Sequence, residues 1–181
     1  MRWFRKHSCR KIDFLKHLPN LLSLARLALA PFVFVLLVQR EYRTVLVLFA
    51  IAGLTDFLDG LAARKFGSTS RLGAALDPVA DKVLLSGAFL TLALTGAIET
   101  WVAAVVLGRD VLILAAAGIL YLAKSRRSFP PSLWGKISTV VQIAFVLVIV
   151  GQVGGPIVIA LKWTTVALAV ISGADYLRRS I

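Results

Sequence analysis

Four aspartates recur at helical spacing between residues 56 and 81. Asp56, Asp59, Gly60 and Ala63 follow i, i+3, i+4, i+7, while Asp77 and Asp81 follow i, i+4. On helices, those intervals put each carboxylate pair on one face, the first beside two small residues. The neighbouring stretches are mostly apolar, and an ionisable group at membrane depth is costly unless paired, hydrated or bound to metal. Clustered carboxylates repel one another and would take up protons if left bare. One or two divalent cations would neutralise them, and such cations favour oxygen ligands. The stretch is therefore a candidate metal site. Each element also has a plain structural alternative: Asp77 before Pro78 as a helix N-cap, Gly60 and Ala63 as packing positions, Arg64 as a membrane anchor.

The elements that must position these residues are set by the chain's apolarity. Of 181 residues, 59% are hydrophobic, and the mean hydropathy is +0.84, too apolar for a soluble domain of this length. The expected fold is all-α and polytopic: six transmembrane helices preceded by a basic, amphipathic interfacial helix over residues 1–18. The spans are predicted near 21–38, 44–63, 73–94, 101–122, 136–150 and 157–171, so that residues 19–181 form one membrane domain. The basic start of the chain lacks a small-residue cleavage site after its apolar run, which argues against a signal peptide. Cys9, the single cysteine, excludes an internal disulfide and offers no metal-thiolate spacing.

Charge sets the orientation. The net charge of +12 lies mostly between the apolar runs: the N-terminus, the 64–72 loop, the 124–134 loop and the C-terminus hold 6, 3, 3 and 2 Lys or Arg, against 2, 0 and 0 in the alternate loops. The positive-inside rule then places both termini in the cytosol of a multi-pass protein of the cell (inner) membrane. Asp56 and Asp59 close the second span and Asp77 and Asp81 open the third, so all four carboxylates can meet in one cytosol-facing cavity. The same charge suits an anionic membrane surface or a phosphorylated substrate, with no call for nucleic acid.

Written as D-x-x-D-G-x-x-A-R-x8-G-x3-D-x3-D, every fixed position is filled, by Asp56, Asp59, Gly60, Ala63, Arg64, Gly73, Asp77 and Asp81. The pattern resembles the signature of the CDP-alcohol phosphotransferases, a family that makes membrane phospholipids. The resemblance implies transfer of the phosphatidyl group from CDP-diacylglycerol to an alcohol, with release of CMP. It implies two Mg²⁺ or Mn²⁺ ions held by Asp56, Asp59 and Asp77, with Asp81 as general base and a further metal contact. It also implies a CDP site along Asp56, Gly60, Ala63, Arg64 and Gly73, and a homodimer. Small residues there would let a nucleotide lie against backbone, and Arg64 would supply a cation for its phosphate. No nucleophilic Ser or Cys with a neighbouring base appears, which favours direct in-line displacement.

Residues outside that stretch bear on the acceptor. Pro19-Asn20-Leu-Leu-Ser23-Leu-Ala-Arg26, with Pro31, is similar to the P-N-x-x-T-x-x-R-x4-P opening of the phosphatidylglycerophosphate and cardiolipin synthase branches, which narrows the acceptor to a glycerol hydroxyl. Arg109-Asp110 and Gly135-Lys136 match acceptor-binding positions of the glycerophosphate-using branch, but its second Arg is Ala117 here. A free glycerol phosphate is nearly a dianion and gains from every fixed cation, whereas phosphatidylglycerol carries a monoanionic diester. Phosphatidylglycerol is the expected acceptor, with glycerol 3-phosphate the alternative. A purely structural Arg109 would instead pair with an Asp on a neighbouring helix, and purely structural Lys136 and Lys162 would snorkel.

Two other functions fit less well. Membrane prenyltransferases also hold Mg²⁺-pyrophosphate with two Asp-rich motifs, but are longer and lack the Gly-x-x-Ala-Arg run. An ion carrier would line a through-pathway with carboxylates, whereas these four cluster near one face.

Overall fold

The structure is a computed structural model that describes residues 24–25, 27–53, 71–122 and 133–180; for 71–81, 116–122 and 179–180 it describes the backbone alone. Among the described residues the chain is all-helical and contains no strand. In chain order the helices are α1 (Leu27–Val38), α2 (Tyr42–Gly53), α3 (Arg71–Leu94), α4 (Thr100–Leu122), α5 (Leu133–Val150) and α6 (Pro156–Ser180). Among the described residues two helices, Leu133–Val150 and Pro156–Arg178, are long and apolar enough to cross a membrane. The interfacial helix expected over 1–18 lies outside the described residues.

Helix ends depart modestly from expectation. α5 starts three residues before the predicted Lys136, which lengthens a span predicted to be short to 18 residues. α6 continues past Ile171 to Ser180, because Ala174, Asp175, Tyr176 and Leu177 carry no helix breaker and keep the ladder going. α3 begins at Arg71, so Asp77 lies inside the helix and does not cap it. Pro78 removes one backbone donor there, the one that would meet the Ala74 carbonyl.

Three turns share one construction. α1, α3 and α5 each end in a paired 6→1 and 5→2 backbone closure: Glu41 to Leu36 (2.9 Å) with Arg40 to Leu37 (3.1 Å), Ala97 to Leu92 (2.9 Å) with Gly96 to Ala93 (3.1 Å), and Val153 to Val148 (3.0 Å) with Gln152 to Ile149 (3.0 Å). Such a closure needs a left-handed residue, normally glycine. Gly96 fits at φ 72°, but Arg40 (φ 60°) and Gln152 (φ 53°) are side-chain-bearing residues in the same role. Arg40 also donates to the Thr95 carbonyl at 3.2 Å, tying the α1–α2 turn to the α3–α4 turn.

These turns make α1 and α2, α3 and α4, and α5 and α6 antiparallel pairs, while α4 and α6 run parallel. Their register is visible in two contacts of identical separation: Lys162 with Glu99 and Ser172 with Arg109, each 63 residues apart. Trp101 and Trp163 also meet between these two helices, with ring centroids 5.6 Å apart. The apolar core joins Val33 and Leu37 of α1 and Val45 of α2 to Leu84, Ala88, Phe89 and Leu92 of α3, Val102 and Val106 of α4, and Phe145 and Val146 of α5. Phe89 and Phe145 lie 6.0 Å apart at its centre. Gly87 lets α1 approach: a Cβ there would fall 2.1 Å from Phe34 Cζ. Apolar side chains also cover the outside, among them Phe32, Val38, Val111, Leu114 and Val140. An apolar exterior of this extent suits lipid contact and is foreign to a soluble monomer.

Candidate active site

Of the residues singled out from sequence, Asp56, Asp59, Gly60, Ala63 and Arg64 lie outside the described residues. Gly73, Asp77 and Asp81 are on α3, whose continuous backbone keeps Asp77 and Asp81 one turn apart. Ala117 is on the last turns of α4. Lys136 is exposed in the first turn of α5, on a different helix from Arg109. Among the described residues no group of three or more His, Cys, Asp or Glu is gathered; the expected four-carboxylate set draws on residues beyond them.

Directly after Asp81 the side chains are described, and they form a polar network inside the bundle. Lys82 Nζ approaches Asp110 Oδ1 at 2.5 Å. Ser86 Oγ donates to Asp110 Oδ2 at 3.0 Å. Arg109 donates through NH1 to Asp110 Oδ1 at 2.7 Å and through NH2 to Ser172 Oγ at 2.9 Å. Arg109, Asp110 and Ser172 are buried at 6%, 5% and 1% exposure, so these are interior charges that need the pairing they have. Lys82 is more open, with 31% of its side chain exposed. Arg109 Nε is buried with no hydrogen-bond partner among the described residues, which leaves one cationic donor for an added oxygen acceptor.

Among the described residues, the carboxylate partner of Arg109 is the next residue of its own helix, and its partner on a neighbouring helix is the hydroxyl of Ser172; the side chains of Asp56, Asp59, Asp77 and Asp81 lie outside the described residues. Lys162 does more than snorkel: Nζ donates to Glu99 Oε1 at 2.6 Å and sits 5.9 Å from the Trp163 ring centroid. The hydrogen bond from Lys162 holds the Glu99 carboxyl below the usual carboxylate range, helped by a backbone hydrogen bond at Glu99.

Sequence reasoning missed Lys82, Ser86 and Ser172. Lys82 carried a usable signal. The 95–99 link is short and the two helices are antiparallel, so Lys82, 12 residues before Leu94, and Asp110, 10 residues after Thr100, fall at nearly one depth. A lysine in a long apolar helix points to an acid at matching depth on the next one. Ser172 has no such signal, because hydroxyls are common in membrane helices for packing alone.

Comparison with known proteins adds the chemistry. Residues 16–172 match the family model described as CDP-alcohol phosphatidyltransferase. A Mycobacterium tuberculosis protein named "Probable phosphatidylglycerophosphate synthase" is 35% identical over 176 residues, covering 91% of this chain and 82% of that protein. A CDP-diacylglycerol–glycerol-3-phosphate 3-phosphatidyltransferase of Aquifex aeolicus is 38% identical, over 68% of this chain and 69% of its own length. A CMP-forming cardiolipin synthase of Rattus norvegicus is 40% identical over 64% of this chain and 38% of its own.

Proposed function

The chain belongs to the CDP-alcohol phosphatidyltransferase family, enzymes of phospholipid synthesis, and we propose that its acceptor alcohol is the terminal glycerol of phosphatidylglycerol, so that it makes cardiolipin. The supporting observation is the charge balance around Arg109. Lys82 and Arg109 share the one carboxylate of Asp110, which leaves a single net positive charge, and position 117 holds alanine in place of a second arginine. A site one cation short of the glycerophosphate-using pattern suits the monoanionic diester of phosphatidylglycerol better than the near-dianion of glycerol phosphate. Glycerol 3-phosphate is the second reading, favoured by the wider coverage of the relative named for phosphatidylglycerophosphate synthesis.

Family members generally use divalent ions, and the residues of this chain fit them. The donor set, Asp56, Asp59, Asp77 and Asp81, is all carboxylate, the choice of Mg²⁺ or Mn²⁺, and α3 holds the last two at i, i+4. Two such ions would supply charge neutralisation at the pyrophosphate of CDP-diacylglycerol. Asp56, Asp59 and Asp77 are the proposed main ligands. Asp81 accepts the proton of the acceptor hydroxyl as its oxygen bonds to the phosphatidyl phosphorus and the phosphorus–oxygen bond to CMP breaks. Arg64 binds a donor phosphate beside Gly60, Ala63 and Gly73, and Arg109 and Lys136 orient the acceptor.

The proposed topology has six spans within residues 19–181, an interfacial helix over 1–18, and both termini and the site in the cytosol. A homodimer in the inner membrane completes the reading. The test is an acceptor panel: purified protein with CDP-diacylglycerol and, separately, phosphatidylglycerol, glycerol 3-phosphate, inositol phosphate or serine, with products identified by mass. Cardiolipin from phosphatidylglycerol alone supports the proposal. Phosphatidylglycerophosphate as the main product overturns the acceptor choice while leaving the reaction class intact.

A further inference from the structure

Asp110 is gripped at both oxygens by one neighbouring helix. Lys82 reaches Oδ1 at 2.5 Å and Ser86 reaches Oδ2 at 3.0 Å, and these donors stand one turn apart on α3. A planar carboxylate engaged at two points about 6 Å apart along a helix fixes both the rotation and the slide of that helix. Asp110 is in turn held by Arg109 NH1 at 2.7 Å, and Arg109 NH2 reaches Ser172 on α6 at 2.9 Å. Gly173 of α6 lies beside Arg109, where a Cβ would make ordinary van der Waals contact with Arg109 Cγ at 3.8 Å. One buried carboxylate therefore links three helices.

Lys82 immediately follows Asp81, and the backbone from Arg71 to Leu94 is a single helix. Any turn of α3 at Lys82 and Ser86 is carried to Asp77 and Asp81. Side chains reach about 5–6 Å from a helix axis, so a rotation of about 10° moves their ends by about 1 Å. Misplacement by about 1 Å can cost about 100-fold in rate. The geometry points to Asp110 as a positioning residue of the transfer: it sets the rotation and register in which α3 presents Asp77 and Asp81. This inference rests on the reading that those two aspartates serve the reaction.

The test uses the full chain in detergent with Ser86→Ala, which releases Oδ2 without changing charge, Asp110→Asn, and Asp77→Asn as the control for the underlying reading. Three quantities are measured: Mn²⁺ affinity from the free-ion EPR signal without substrate, kcat and KM for CDP-diacylglycerol at saturating metal, and the unfolding midpoint. Ser86→Ala is expected to weaken Mn²⁺ binding about fivefold and lower kcat about tenfold, with KM within about twofold and an unchanged midpoint. Asp110→Asn is expected to act in the same direction and further; if it fails to fold, Ser86→Ala decides alone. Parental Mn²⁺ affinity in Ser86→Ala, with or without a kcat loss, overturns the positioning role provided Asp77→Asn has lost both binding and turnover. Retention of both by Asp77→Asn overturns the reading beneath it.

Discussion

Lys82 of α3 and Asp110 of α4 meet at 2.5 Å in the interior of the bundle, one residue past Asp81. The contact shares its carboxylate with Arg109, so two cations depend on one anion. Removing one partner of a buried ionic group leaves the rest uncompensated. Asp110→Ala is expected to destabilise the protein by about 3–5 kcal/mol in thermal unfolding in detergent. Lys82→Met should cost much less, because its side chain is 31% exposed and the Arg109–Asp110 pair survives.

Gly87 and Phe34 give a packing prediction with its own control. A Cβ at Gly87 would fall 2.1 Å from Phe34 Cζ and 2.6 Å from Cε1, so the whole ring must move. Gly87→Ala should destabilise by about 1–2 kcal/mol despite alanine's better helix propensity. In a Phe34→Ala background the same change should become neutral or stabilising, a coupling read from the double-mutant cycle.

Gln152 predicts the opposite sign. It closes α5 at φ 53°, a conformation that costs a side-chain-bearing residue about 1 kcal/mol relative to glycine. Gln152 is exposed, so Gln152→Gly should raise the unfolding midpoint. A lower midpoint would count against the left-handed closure.

How much of this was legible beforehand depends on whether the cause was local. Helix existence followed from long apolar runs, and the α3–α4 link was marked by Gly96, which its left-handed φ requires. The stops after Val38 and Val150 were legible as the ends of apolar runs, but the left-handed closures at Arg40 and Gln152 were not, because there a non-glycine residue adopts the glycine conformation and the hydrogen-bond closure is set by the whole turn. The carboxylate pattern was legible because spacing alone carries it, and Arg109 was singled out by its resemblance to a position of the related branch. Lys82 to Asp110 and Arg109 to Ser172 were not, since they depend on helix register, which only the packed bundle fixes.

Acid should weaken the tie between the α4 and α6 ends. Lys162 holds the Glu99 carboxyl below its usual range, so the contact contributes fully above the unfolded-state value, about 4.3, and is lost as pH falls through the lower folded value. Glu99 is 51% exposed, which limits the contribution to about 0.2–1 kcal/mol, less at high salt. Comparison of unfolding midpoints of the parent and Glu99→Gln at pH 6 and pH 3 should show a difference at the higher pH that vanishes at the lower.

The central claim is that the aspartates of residues 56–81 drive a metal-dependent phosphatidyl transfer, and CMP release tests it most directly. Purified protein given CDP-diacylglycerol and phosphatidylglycerol with Mg²⁺ or Mn²⁺ should release CMP, and EDTA should abolish release until divalent ion is restored. Asp81→Asn should lower turnover by about 100-fold or more at saturating metal. Release that persists at the parental rate both in EDTA and in Asp81→Asn would contradict the account.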